Sequence, residues 1–222
     1  MLELLKRKNG HVLVLIDEVS SSKNIRSFIH TFQILYREGF SIYAIFTGLY
    51  ENVSALENEK TLTFLYRAPK IELEALDLMK IATSYQNIFN INALDAKNLA
   101  FLTNGYAYAY QVLGSLLWKR NNIAIDDELL AQFDEILAKN SYNKIYTELP
   151  KKEQEILNAL ACSQNNTNAE ILDTINIKKN ELSVYKSRLS QKGIINTSQR
   201  GVINFTLPRF KEFVKKIADF YS

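Results

Sequence analysis

The sequence predicts a mostly α-helical chain that opens on a small parallel α/β piece and closes on a module of three helices and a β-hairpin. Three observations carry this reading. Residues 12–16 (VLVLI) form an apolar run of strand length, and a second apolar run, 41–46, follows a helical stretch. From Glu74 to about Tyr146 apolar residues recur at helical spacing. Beyond Leu149, helical stretches precede two short extended runs joined around Gln199-Arg200-Gly201.

Taken in order, residues 1–10 read as the tail of a helix, with Leu2, Leu4 and Leu5 on its apolar side and Gly10 as its stop. The strand at 12–16 is apolar at every position, which suits burial on both faces. Ser20, Ser21 and Ser22 form a turn into a helix carrying Ile25, Phe28, Ile29, Phe32 and Leu35, and Gly39 ends it before the strand 41–46. Such a strand–helix–strand unit is parallel and right-handed. A shorter extended piece near Lys70–Leu73 is a candidate third strand. Amphipathic helices are then expected over 74–87, 95–103, 106–119 and 126–139, broken by Asn-rich or Gly-containing turns.

Leu149-Pro150 marks a boundary, because proline restricts the residue before it and opens helices. Helices at 151–162, 167–175 and 181–192 follow, the last stopping at Gly193. Strands at 194–197 and 202–207 and a closing helix at 209–221 complete a winged helix-turn-helix, with Leu182, Tyr185 and Leu189 on the core side of its recognition helix. The expected domains are therefore 1–73, 74–148 and 149–222.

Composition narrows the function. The 222 residues are 47% hydrophobic, and no apolar run reaches the length of a membrane span. The start of the sequence lacks a signal-peptide profile, so the cytoplasm is the expected compartment. Cys162 is the only cysteine and His11 and His30 the only histidines, which argues against a disulfide or a structural zinc; Cys162 itself reads as a small residue packed inside a helix. From Leu149 onward there are 12 Lys and Arg against 7 Asp and Glu, whereas the preceding 148 residues carry 15 against 17. The basic excess lies in the C-terminal third and points to an acidic partner.

The strand at 12–16 ends in Asp17-Glu18, the pattern of a Walker B strand. In P-loop ATPases the first acid holds the water shell of Mg²⁺ and the second polarises the attacking water. A phosphate-binding loop needs G-x-x-x-x-G-K-[ST], so that backbone N–H groups converge on the phosphates. None of the seven glycines (10, 39, 48, 105, 114, 193 and 201) is followed by Lys and then Ser or Thr.

Four blocks together resemble the C-terminal two-thirds of a bacterial AAA-type ATPase family related to the STAND and archaeal P-loop ATPases with an appended winged helix. They are LVLIDEVSS (13–21), GLYENVSALENEKTLTFLYRA (48–68), TNGYAYAYQVLG (103–114) and SVYKSRLSQKGII (183–195). The resemblance implies an α/β remnant of a P-loop core, then a helical lid, then the winged helix. It also implies that Asp17 is the Mg²⁺-associated acid, Glu18 the catalytic acid, Thr47 a γ-phosphate sensor and Arg67 an arginine near the nucleotide or a neighbouring subunit. The family uses ATP and Mg²⁺. Here the lid motif Gly-x-Pro reads Gly105-Tyr106-Ala107, and the Walker A half is missing. The expectation is a truncated relative with vestigial acids, needing no cofactor by itself and inactive as an ATPase alone.

Two partners are expected. Removal of a central strand leaves open sheet edges, which favour self-association. The winged helix offers Lys178, Lys179, Ser183, Lys186, Ser187, Arg188 and Arg200 toward double-stranded DNA, with about five or six phosphate contacts and steep salt dependence. The run Tyr106, Tyr108 and Tyr110 is expected to pack in the core. The closing helix carries Lys211, Lys215 and Lys216 opposite Phe210, Phe213, Val214 and Ile217, as a docked helix with a solvated basic face. The alternatives are a Mg²⁺-dependent ATP hydrolase completed by a separate P-loop half, and a protein-interaction scaffold.

Overall fold

The structure, a computed structural model, describes residues 10–221. The helical tail expected over 1–10 lies outside them but for Gly10. The chain divides into two compact units, 1–72 and 73–222.

The first unit is built on two parallel strands, β1 (Val12–Ile16) and β2 (Ile42–Phe46), in register from Val12 opposite Ile42 to Ile16 opposite Phe46. Helix α1 (Lys23–Arg37) joins them. Ser22 caps it, its hydroxyl accepting from the Ile25 N–H at 3.3 Å, and Gly39 takes a positive φ of 79° where the chain turns back. Helix α2 (Tyr50–Glu57) and a 3₁₀ turn (Thr63–Arg67) follow. A small core of Val19, Ile29, Leu56 and Leu62 forms here, with Phe28 set edge-on to Phe46 at 6.2 Å.

Two expectations need correction. Burial in β1 and β2 alternates, and the outward residues Leu13, Leu15, Tyr43 and Ile45 are 52–69% exposed. The apolar run supplied both faces, yet α1 covers one, and among the described residues nothing covers the other. Lys70–Leu73 is not a strand: no pairing holds it, and Ile71 and Leu73 are almost fully exposed.

The second unit is helical except for a hairpin. Helices α3 (Leu78–Phe89), α4 (Ala93–Thr103), α5 (Ala107–Arg120) and α6 (Asp127–Leu137) come first. Asp77, Asn92 and Asp126 cap α3, α4 and α6, so α3 starts three to four residues later than its apolar periodicity suggests. Asn90, Asn104 and Asn121 end α3, α4 and α5 in the left-handed conformation, a role Asn fills better than other non-Gly residues. A π-helical turn (Ala138–Tyr142) runs into α7 (Asn143–Thr147). Gly105, also left-handed at φ 75°, sits where an added Cβ would lie 2.6 Å from the Leu76 carbonyl oxygen. The Gly105 carbonyl accepts from the Leu76 N–H at 2.8 Å, which explains a glycine here even though the expected proline is absent.

The winged helix-turn-helix follows as α8 (Lys151–Cys162), α9 (Asn168–Thr174), α10 (Lys179–Gln191), β3 (Ile195–Asn196), β4 (Asn204–Phe205) and α11 (Phe210–Tyr221). A bridge between Thr167 and Val202 adds a third short extended piece to the wing. Thr167 and Glu170 form a capping box at the start of α9. Cys162, expected inside a helix, is exposed because it is the last residue of α8.

One continuous core runs from Ile81 to Val214, through the helices and the winged helix alike. Tyr142 lies edge-on to Phe210 and Phe213, with ring centroids 4.9 and 5.6 Å away, and its hydroxyl donates to the Pro208 carbonyl at 2.6 Å. Arg209 holds Asp134 with both its Nε and Nη2, and Asn104 Nδ2 donates to the Thr206 carbonyl at 2.6 Å. Glu153, 1% exposed on α8, is paired with Lys192 at 3.0 Å. Tyr110 also packs inward, 5.1 Å from the Tyr85 ring. Among the described residues no helix is long and apolar enough to cross a membrane.

Candidate functional site

Chemistry-bearing side chains come together at the sheet end of the first unit and on the winged helix of the second. The first place is the corner at the carboxyl ends of β1 and β2, where open parallel sheets bind ligands. Thr47 N donates to the Ile16 carbonyl and Val19 N to the Thr47 carbonyl, each at 2.9 Å, so the loops leaving the two strands are tied together. Thr47 Oγ1 donates to Asp17 Oδ1, which also accepts from the Glu18 N–H at 3.0 Å. Glu18 adopts φ 51°, a left-handed turn at the strand end. Val19 turns into the core at 2% exposure, while Asp17, Glu18 and Thr47 stay exposed. A Cβ at Gly48 would come within 2.9 Å of Val19 Cγ2, so a side chain there would have to push Val19 aside where the two loops cross. Arg67 is exposed at the end of the 3₁₀ turn.

This corner supplies one carboxylate and one hydroxyl already bonded to each other, with a second carboxylate beside them. Mg²⁺ in such sites takes one or two carboxylates plus phosphate oxygens and waters. The acids thus suit the protein side of a Mg²⁺–triphosphate site, but the sequence contains no phosphate-binding loop to hold the triphosphate, and no hydrolytic step follows from these residues alone. Among the described residues no group of three His, Cys, Asp or Glu side chains could hold a metal ion.

The second place is the outer face of α10 and the wing. Lys178 N donates to the Glu181 carboxylate at 3.1 Å, which fixes the start of α10 after the turn from α9. Leu182 and Leu189 are buried, and Tyr185 and Lys186 sit half-buried between them. Lys186 donates to Asn168 Oδ1 at 2.9 Å, and its burial lowers its pKa. Its position four residues after Leu182 and three before Leu189 places it on the inner stripe, a signal the helical spacing already held. The outer stripe is Asn180, Ser183, Val184, Ser187, Arg188 and Gln191, all exposed. Val184 and Gln191 are members of this face that attention to cations overlooks.

Arg188 lies over the Tyr185 ring, 5.8 Å from its centroid. Arg200 is exposed at the wing tip, where Gly201 takes φ 83° and Ser198 N donates to Asn196 Oδ1 at 2.7 Å. Lys178, Lys179, Ser183 and Ser187 are exposed as well. Of the seven residues singled out for DNA, six lie open on one module, and Lys186 serves as a strut behind them.

A family model described as a domain of unknown function, DUF8462, matches residues 139–214. This span begins within the π-helical turn and so takes in Tyr142 as well as the winged helix. No curated protein matches the sequence. Among solved structures, the Walker-type ATPase PABY2304 of Pyrococcus abyssi superposes with a TM-score of 0.67 at 15% identity, over 96% of this chain and 66% of its own. The fold resembles that of a Walker-type ATPase. The chain spans about two thirds of the length of that relative. The ORC2 protein of Aeropyrum pernix, solved as ADPNP–ADP complexes, gives 0.45 at 14% identity over 99% of this chain and 68% of its own, which adds nothing to the fold.

Proposed function

We propose that this Walker-type ATPase relative acts as a DNA-binding module, with the winged helix laid on double-stranded DNA. The observation that carries this reading is the outer face of α10 and the wing. It presents short polar side chains and four exposed cations, Lys178, Lys179, Arg188 and Arg200, with no ion pair to them among the described residues. Phosphate contacts of this kind position a protein, and short side chains between them let a helix reach base edges.

Fluorescence anisotropy with a duplex oligonucleotide over a salt series tests it. Four phosphate contacts give a slope of log K against log salt of roughly −3.6, at about 0.9 per contact. Arg188→Ala with Arg200→Ala lowers the steepness by about 1.8, whereas Lys186→Ala leaves the slope alone because that ammonium is spent on Asn168. Absence of binding at low salt refutes the reading. Loss of a bound protein partner in the same variants, with no DNA binding, favours a scaffold instead.

The Asp17–Thr47 contact favours a second role, as the Mg²⁺ side of an ATP site completed by a P-loop supplied from another segment or chain. Mg²⁺-dependent turnover that appears only when such a P-loop fragment is added, and disappears in Glu18→Gln, supports it. The uncovered face of Leu13, Leu15, Tyr43 and Ile45 supports self-association through the small sheet. Light scattering that shows a monomer at high concentration removes that part.

A further inference from the structure

We propose that α10 reads thymine in the major groove, with Val184 as the residue that recognises the base. This inference rests on the DNA-binding reading above and deepens it. The outer stripe of α10 holds Asn180, Ser183, Ser187, Arg188 and Gln191, and in its centre stands Val184, 51% exposed. Of the large hydrophobic side chains on α10, it alone is exposed: Leu182 and Leu189 are buried and Tyr185 is half-buried under Arg188.

Three features make Val184 a reader and not a positioner. It has no hydrogen-bonding group, so neither a phosphate nor a polar base edge attracts it. Ser183, just before it, and Ser187, one turn on, are short, so the valine methyls stand clear of them. A β-branched side chain in a helix holds essentially one χ1 rotamer, so little freedom is lost on contact. In duplex DNA the apolar group available to such a side chain is the C5-methyl of thymine, and it lies in the major groove. The minor groove shows no methyl, so the same residue there would gain nothing.

Asn180 and Gln191 extend the assignment. Each carries the donor–acceptor pair that matches adenine N6 and N7. They lie eleven residues apart on the stripe, on either side of Val184. The face therefore favours A·T-containing sites, and the thymine is the base whose loss isolates Val184.

The test uses the full chain and a pool of random-sequence duplexes, selected in parallel by wild type and Val184→Ala and then sequenced. Alanine keeps the helix and removes an exposed side chain, so folding is not at issue. The wild type is expected to fix a thymine at one position. The variant loses preference at that position only and binds the unselected pool as before. Replacing the selected thymine by deoxyuridine removes one methyl and should weaken wild-type binding roughly fourfold while leaving the variant unchanged. A selected site without a fixed thymine, identical sites from both proteins, or an unaffected deoxyuridine duplex overturns the inference while DNA binding itself stands. No binding to any duplex overturns both.

Discussion

Replacing Lys192 by methionine isolates one buried charge at the foot of α10. Glu153 is 1% exposed within α8, and the Lys192 ammonium stands 3.0 Å from its carboxylate. Methionine keeps most of the aliphatic stem and removes the charge. Breaking a buried pair from one side costs about 3–5 kcal/mol, because the remaining ion has lost water and partner together. The lysine side chain here is 24% exposed, so water can reach the orphaned carboxylate in part, which places the cost near 2–3 kcal/mol. For the unit of residues 73–222, each kcal/mol moves the melting temperature about 2–4 °C, so a drop of roughly 5–10 °C is expected. Urea denaturation followed by circular dichroism measures the free energy directly. The companion Glu153→Leu/Lys192→Met replaces both charges by apolar groups and should recover to within about 1 kcal/mol of wild type. A single variant within about 0.5 kcal/mol of wild type refutes the assignment of a buried pair, and so does a double variant as unstable as the single.

Gly105→Ala places a methyl 2.6 Å from the Leu76 carbonyl at a backbone φ of 75°, and strain alone should cost about 1–3 kcal/mol in the same denaturation assay. Burial pushes the Tyr85 and Tyr142 phenols well above their ordinary value, so ultraviolet titration should leave both protonated at a pH where a free phenol in water ionises. Since the unfolded chain loses these protons near pH 10 and the folded chain keeps them, stability is full below that pH and falls above it. Tyr142→Phe leaves the Pro208 carbonyl without its donor and should cost about 1–3 kcal/mol.

Much of the secondary structure is legible in the sequence because its periodic signals are local. Apolar spacing marks α1 and α3 to α6, while Gly193 and the Gln199-Arg200-Gly201 turn mark the wing. What escapes depends on partners distant in sequence. The run at 12–16 is apolar at every position, so it cannot say that only one face finds a helix. The alternating Ile71 and Leu73 resemble a strand but meet no neighbouring edge. Asp17 and Glu18 are visible as a motif, whereas the bond from Thr47 needs the 30-residue crossover to bring the strand ends together. On α10 the cations are obvious, and only the inner stripe of Leu182 and Leu189 reveals that Lys186 turns toward Asn168.

The Tyr142 ring wedged against Phe210 and Phe213 bears on how this module could be borrowed or transplanted. A graft cut at Leu149 would carry the whole helix-turn-helix and hairpin yet leave behind the aromatic plug that seals the closing helix. The resulting cassette would show a greasy socket to water and clump. A cut at Lys139 keeps the plug, and the family match starts at that same residue.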